Sequence, residues 1–159
     1  MKVDYVLPFV EACVTVIQTM AGLTPERGQL SARPQMFTSQ QLNIVCGITG
    51  QIEGQVIYGM SIQTAEKIAS KMLGTAVTTF DQLAASAIAE LGNMVSGNSM
   101  TLMAGKGFTC DITPPTIVKG TNVKISTLDI PALVIPMAVA DLGSLEINVS
   151  LQERRARAA

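Results

Sequence analysis

Apolar residues recur with two distinct periods along this chain of 159 residues. Residues 6–21 place Phe9, Ala12, Cys13, Val16, Ile17 and Met20 at helical spacing. Gly22 stops that helix, and Pro8 fits only near its first turn. Residues 24–40 are polar, contain Pro25, Gly28 and Pro34, and show no period, so they predict an irregular connection. Residues 42–49 and 54–61 read as strands joined by the hairpin Gly50-Gln-Ile-Glu-Gly54. Ser61 caps a helix over about 62–73, with Ala65, Ile68, Ala69, Met72 and Leu73 inward and Gly74 as its stop. Thr79-Phe-Asp-Gln82 has capping-box spacing, so a long helix starts near residue 80. It can run to Gly105, with Gly97 the natural place for an interruption. Residues 108–112 follow, then a turn at Pro114-Pro115 and strands near 121–128, 132–140 and 144–151. The last two are joined at Ala140-Asp-Leu-Gly143.

The pattern repeats itself. Glu53-Gly-Gln-Val-Ile-Tyr-Gly-Met-Ser-Ile-Gln63 lines up with Leu142-Gly-Ser-Leu-Glu-Ile-Asn-Val-Ser-Leu-Gln152. The first helix lines up with the third when Gly22 is set on Gly97, which puts Thr15 at Glu90 and Gln18 at Asn93. Two related helix-plus-hairpin halves about a pseudo-twofold axis are expected. Only the second half then carries a Glu/Asn pair, so one site per chain follows. The fold class is α/β (α+β), with long helices packed on antiparallel sheet. Residues 1–159 are read as one domain whose basic tail, 153–159, is loosely ordered.

The third helix holds the candidate chemistry. At about 100° per residue, Ser86, Glu90, Asn93 and Gly97 fall within roughly 60° of one another, opposite Ile88, Leu91, Val95 and Leu102. One helical face is apolar; the other offers a carboxylate, a carboxamide and a bare glycine. A surface Glu suits a Lys ammonium presented by another protein. An Asn carboxamide, with one acceptor and two donors, can hold a water at a set angle for in-line attack on phosphorus. Neither task needs a nucleophile or a titrating base. On these residues alone a solvated helix face is the better reading of Glu90-x-x-Asn93; the whole stripe, with Pro114-Pro115 some twenty residues on, argues for more. Gly92 and Gly97 each weaken the helix interior by about 1 kcal/mol relative to Ala, which calls for close packing or close approach of a partner.

Composition narrows the alternatives. There is no His, so Ser-His and Cys-His catalysis and the commonest transition-metal ligand are excluded. Cys13, Cys46 and Cys110 are odd in number and widely spaced, and read as buried small hydrophobes instead of a disulfide frame or a zinc site. No metal site is expected. A net charge of −1 gives no case for nucleic acid. The longest apolar run, Pro131 to Ala140, is interrupted by Pro136 and too short to span a bilayer, and no secretory signal stands at the N-terminus, so a cytoplasmic protein without a membrane partner is expected. Only 14% of residues are charged, which surface covered by a second subunit explains and a well-packed monomer explains as well. Gly105-Lys-Gly107 looks like a phosphate loop but follows a helix instead of opening one. The Met residues read as core filler, with Met94 and Met100 able to flank the polar stripe.

Ser86-x3-Glu90-x2-Asn93, followed by prolines, resembles the motif of the CheC/CheX/FliY family of chemotaxis phosphatases. Pro8-Phe-Val-Glu-Ala-Cys-Val-Thr-Val-Ile-Gln-Thr-Met-Ala-Gly22 and Gly54-Gln-Val-Ile-Tyr-Gly-Met-Ser61 look like CheX-type segments, and the similarity runs from about residue 6 to 151. The resemblance implies a phosphatase that dephosphorylates the aspartyl-phosphate of a CheY-type response regulator. Glu90 would pair with the regulator's Lys and Asn93 would direct the water. Ser86, Gly97, Pro114 and Pro115 would contact the partner, which would bring its own Mg2+, and the protein would be a homodimer. The prolines lie slightly closer to the Asn than in the family's motif. An alternative is a non-catalytic module docking a response regulator or a flagellar-switch partner; a signalling domain that kept only the fold is a third. Asn93 separates the first two, since docking alone has no use for that carboxamide.

Overall fold

The computed structural model describes residues 2–34, 37–38, 40–120, 125–126 and 130–155. Its helices are α1 (Val3–Ala21), α2 (Ile62–Leu73) and α3 (Gln82–Gly105). Its strands are β1 (Glu26–Arg27), β2 (Ser31–Arg33), β3 (Phe37–Thr38), β4 (Leu42–Gly50), β5 (Ile52–Met60), β6 (Cys110–Ile112), β7 (Thr116–Lys119), β8 (Ile125–Ser126), β9 (Ala132–Val139) and β10 (Gly143–Glu153). The main sheet is antiparallel, in the order β1-β9-β10-β5-β4-β6, with β2 also on β9 and β7 also on β4; β3 and β8 pair separately.

Alternation along the strands sorts residues to two faces. Ile44 and Cys46 of β4, Val56 and Tyr58 of β5, Ile135 and Met137 of β9 and Ile147 of β10 share one core with Phe9, Ile17, Ile68, Ile88 and Val95 of the helices. On the other face, Ile57 and Ala132 are buried with Val45 and Ile125 against them.

The strand echo is matched by the register. The two aligned segments put Tyr58 on Ile147, and those residues are direct partners where β5 meets β10. The halves also exchange flanks. Strands β1 and β2, which follow α1, pair with β9, while β6 and β7, which follow α3, pair with β4. The helix alignment holds in burial: Phe9 to Gln18 of α1 and Ala84 to Asn93 of α3 run through the same succession of buried, half-buried and exposed positions. Gly22 ends α1 in the left-handed region, φ +66°, where a side chain is disfavoured. Gly97 is an internal residue of an unbroken α3, well short of its end at Gly105. α3 therefore runs on past the repeated part, and Thr15 and Gln18 stand exposed on α1 where Glu90 and Asn93 stand on α3. Of the two matched pairs only that on α3 carries the acid and the amide, and Glu-x-x-Asn occurs only at 90–93 in the sequence.

Several boundaries moved for local reasons. α2 spans the expected residues, with the Thr64 amide donating to Ser61 Oγ at 3.1 Å. α1 begins at Val3, so Pro8 lies inside it and removes a backbone bond to the Asp4 carbonyl. α3 is capped by Asp81, whose Oδ1 accepts from the Ala84 amide at 2.9 Å; Thr79 only lends its carbonyl to the Asp81 amide. A carboxylate answers the helix N-terminus better than the hydroxyl of Thr79. The connection 24–40 contains β1, β2 and β3, and β7 was not foreseen. Of the strand expected at 121–128, Ile125 and Ser126 form β8, and residues 121–124 and 127–128 lie outside those described. The start of the basic tail is held: the Arg154 amide donates to the Gln51 carbonyl at 2.8 Å, and Glu153 ends β10. Residues 156–159 lie outside those described.

Gly105-Lys-Gly107 closes α3, with the Gly107 amide on the Ala104 carbonyl at 3.0 Å and Lys106 Nζ 3.7 Å from Asp4. Cys13 and Cys46 are buried, but Cys110, at a sheet edge, is only half-buried. Burial pushes the Cys13 thiol up to about 12. Among the described residues α1 is the helix long and apolar enough to cross a membrane. Its Phe9, Ala12, Cys13, Val16 and Ile17 are buried in the core.

Candidate functional site

Two walls rise from β4. The first is α3. Gly92 lies against Ile44, where an added Cβ would stand 2.5 Å from Ile44 Cγ2, so the glycine lets the helix sit close on the strand. One turn further on, the Tyr58 hydroxyl and Ser96 Oγ share a buried hydrogen bond of 2.7 Å. Burial drives the Tyr58 phenol well above its ordinary range. Burial also raises the Cys46 thiol, against a smaller opposing effect of its bond to Ser96. These contacts fix the height and rotation of α3. The second wall is the chain leaving β6. Thr113 clasps β4 twice: its Oγ1 accepts from the Gly47 amide at 2.9 Å, and its own amide donates to the Gly47 carbonyl at 2.9 Å. Upstream, the Thr109 amide donates to Gln51 Oε1 at 2.6 Å.

Between the walls lies a cleft of about 500 Å3 lined by Ser86, Ala89, Glu90, Asn93, Ile112, Thr113, Pro114 and Pro115. It brings together five of the six residues singled out from sequence; Gly97 lies outside the lining. Glu90, Asn93 and Ser86 are exposed, and none has a hydrogen-bond or ion-pair partner among the described residues. Ile88, Leu91 and Val95, on the opposite side of α3, are at most 3% exposed. An acid and an amide therefore stand one turn apart, about 5–6 Å between Cβ atoms, both facing solvent. Gly97 meets nothing within 4 Å of an added Cβ, so no contact among the described residues requires a glycine there.

Thr113, Ile112 and Ala89 escaped the sequence reading. The hydroxyl at 113, just before the prolines, was the available signal for Thr113; its partner Gly47 is too distant in sequence to be read from spacing. A second cleft, of about 440 Å3, is lined by Lys2, Tyr5 and Glu153 with Ile130, Pro131, Leu151 and Gln152. Its charged groups already pair: Lys2 Nζ and the Tyr5 hydroxyl each donate to Glu153 Oε1 at 2.7 Å. The bond from Lys2, then that from Tyr5, hold the Glu153 carboxyl below its ordinary value. That cleft offers no free chemistry.

The chemotaxis phosphatase CheX family matches residues 42–138, a span containing α3 and both prolines. The CheY-P phosphatase CheX of Thermotoga maritima is 36% identical over 137 residues, 86% of this chain and 88% of that protein. Among solved structures, a chain of the CheX–CheY–BeF3–Mg2+ complex from Borrelia burgdorferi is similar, with 32% identity, a TM-score of 0.82, and coverage of 96% of this chain and 100% of that one. A CheC-like superfamily protein from Shewanella sp. PV-4 has 25% identity and a TM-score of 0.86, covering 96% of this chain and 99% of the other. With the family matched over more than half its length and a relative aligned along most of it, the chain belongs to the chemotaxis phosphatase CheX family.

Proposed function

We propose that the protein hydrolyses the aspartyl-phosphate of a CheY-type response regulator, with Glu90 and Asn93 as the groups that do the work. The observation that carries this is the exposed Glu90–Asn93 pair, without a partner among the described residues, facing a cleft with a proline wall. Glu90 pairs with the regulator's Lys ammonium and so registers the two proteins. Asn93 accepts from one water and aims its oxygen at phosphorus, opposite the aspartyl oxygen. The new bond joins water oxygen to phosphorus, the bond from phosphorus to the aspartyl oxygen breaks, and the water's protons end on the phosphate product. Phosphoryl transfer of this kind asks mainly for position and charge, which suits a chain without His. The cleft holds one carboxylate, and no group of three His, Cys, Asp or Glu side chains gathers among the described residues. These residues do not fit a resident Mg2+, so the ion is assigned to the regulator. Ser86, Pro114 and Pro115 flank the contact. The relatives' function supports a cytoplasmic protein, and the low share of charged residues supports a homodimer, which light scattering would test.

The deciding experiment follows loss of phosphate from the phosphorylated regulator with Mg2+ present. Asn93→Ala is expected to lower kcat by about 10²–10³ while leaving regulator binding nearly intact. Glu90→Ala is expected to raise KM as well. Wild-type protein that leaves the regulator's spontaneous rate unchanged would refute the activity. Parallel loss of binding and turnover in Asn93→Ala would refute the water-orienting role.

A further inference from the structure

Leu83, Glu90 and Gly97 recur every seven residues along α3, so all three share one line on its surface. Leu83 and Gly97 stand about 10.5 Å to either side of Glu90. Leu83 is 62% exposed, one of three large hydrophobics left in solvent among the described residues. The fold does not use it: in the same turn Asp81 supplies the cap, and Ala84 and Ala87 supply the buried contacts. Gly97 is the converse. It weakens the helix, yet open space surrounds it. The stripe thus carries a projecting apolar knob at one end and bare backbone at the other.

We propose that Leu83 and Gly97 form an asymmetric seat that fixes the orientation of the phosphorylated regulator over Glu90 and Asn93. Leu83 enters an apolar recess of the regulator, and a bulkier part of the regulator lies directly on the helix at Gly97. The inference rests on the function proposed above and adds the residues that set docking. Its occupant follows from size. A specific protein contact covers about 800 Å2 per partner, a disc of about 16 Å radius. A partner centred on Glu90 must therefore cover both flanking positions. An exposed Leu and an unfilled Gly at those positions suit one orientation of a globular partner and reject the reverse.

The test uses the full chain and its phosphorylated regulator in steady state, with Leu83→Asp, Leu83→Met and Gly97→Leu. All three are expected to melt with the wild type or above it, because 83 and 97 have no packing to lose and Asp suits a first helical turn. Leu83→Asp and Gly97→Leu should each raise KM at least tenfold, with kcat within twofold of wild type. Leu83→Met should restore KM to within about twofold. An inactive wild type would overturn the function and this seat together. An active wild type with KM unchanged in both Leu83→Asp and Gly97→Leu would overturn the seat alone. A change of oligomeric state in Leu83→Asp at unchanged KM would reassign the leucine to contact between copies of this chain and equally overturn the seat.

Discussion

Two glycines on one helix should respond to the same methyl with opposite signs. Gly→Ala inside a helix gains about 1 kcal/mol from backbone propensity. At Gly97 nothing within 4 Å opposes the new Cβ, so Gly97→Ala should keep that gain and raise Tm by about 2–4 °C. At Gly92 the Cβ would stand 2.5 Å from Ile44 Cγ2 and 3.5 Å from Ile44 Cβ and Cδ1. Carbon atoms in contact prefer about 3.5–4.0 Å, so roughly an ångström or more must be recovered. Ile44 Cγ2 is bonded to the Cβ of a fully buried residue, and it moves only if the rotamer or the strand moves. Such overpacking costs about 1–3 kcal/mol, which outweighs the propensity gain. With the contact about an ångström too short, the upper part of that range applies, about 2–3 kcal/mol, so Gly92→Ala should lose roughly 1–2 kcal/mol net and melt several degrees below wild type. Ile44→Leu removes the methyl from Cβ, and on that background Gly92→Ala should cost about 1 kcal/mol less, which a double-mutant cycle reads directly. Urea melts of the wild type, the two single variants and the double variant suffice. Gly92→Ala as stable as wild type, or an unchanged cost in the presence of Ile44→Leu, would refute the claim that this contact sets the height of α3.

Three further expectations use the same structure. Thr113→Val removes the acceptor for the Gly47 amide while keeping shape; it should cost about 1 kcal/mol in urea melts and raise KM, with Thr113→Ser recovering both. Tyr58→Phe leaves Ser96 Oγ buried without its 2.7 Å partner and should cost about 1–2 kcal/mol by the same measurement. The Lys2–Tyr5–Glu153 clasp should have a defined pH window. The Glu153 carboxyl lies below its ordinary value of 4.5, so its stabilisation is present above that value and is lost as pH falls through the folded value. The Tyr5 phenol lies above 10.0, chiefly from burial, so its contribution is complete below 10.0 and is lost as pH rises through the folded value. Protection from hydrogen exchange at the Tyr5 and Val6 amides, corrected for the intrinsic pH dependence of exchange, should fall at both extremes, and equal protection at acid and neutral pH would refute the Glu153 half.

What could be read from the sequence was local. Ser61 and Gly74 bound α2 because a cap and a stop act within a few residues. The hairpin β4–β5 followed from alternation, and Glu90 and Asn93 shared a face because helical spacing dictates it. The illegible parts depend on contacts between residues far apart in the chain. Strands β1 and β2 are short and exposed, and they pair with residues of β9 far along the chain, so no period marks them. Thr113 looked like a loop residue until Gly47 lay beside it. Gly92 and Gly97 are the same letter in the same helix; only Ile44 tells them apart. Asp81 displaced Thr79 as the cap because both have capping chemistry and spacing alone does not rank them.

The exchange of flanking strands between the halves has a kinetic corollary. The proline wall belongs to the later half of the chain but stands on β4, from the earlier half, and α3 leans on that strand too. A nascent chain carrying only the first half has the platform without either wall, and an excised second half has walls without a platform. Competence to release phosphate is therefore a late event in folding, acquired only once both pieces have interlocked, and a cut between them should silence the protein without touching Glu90 or Asn93.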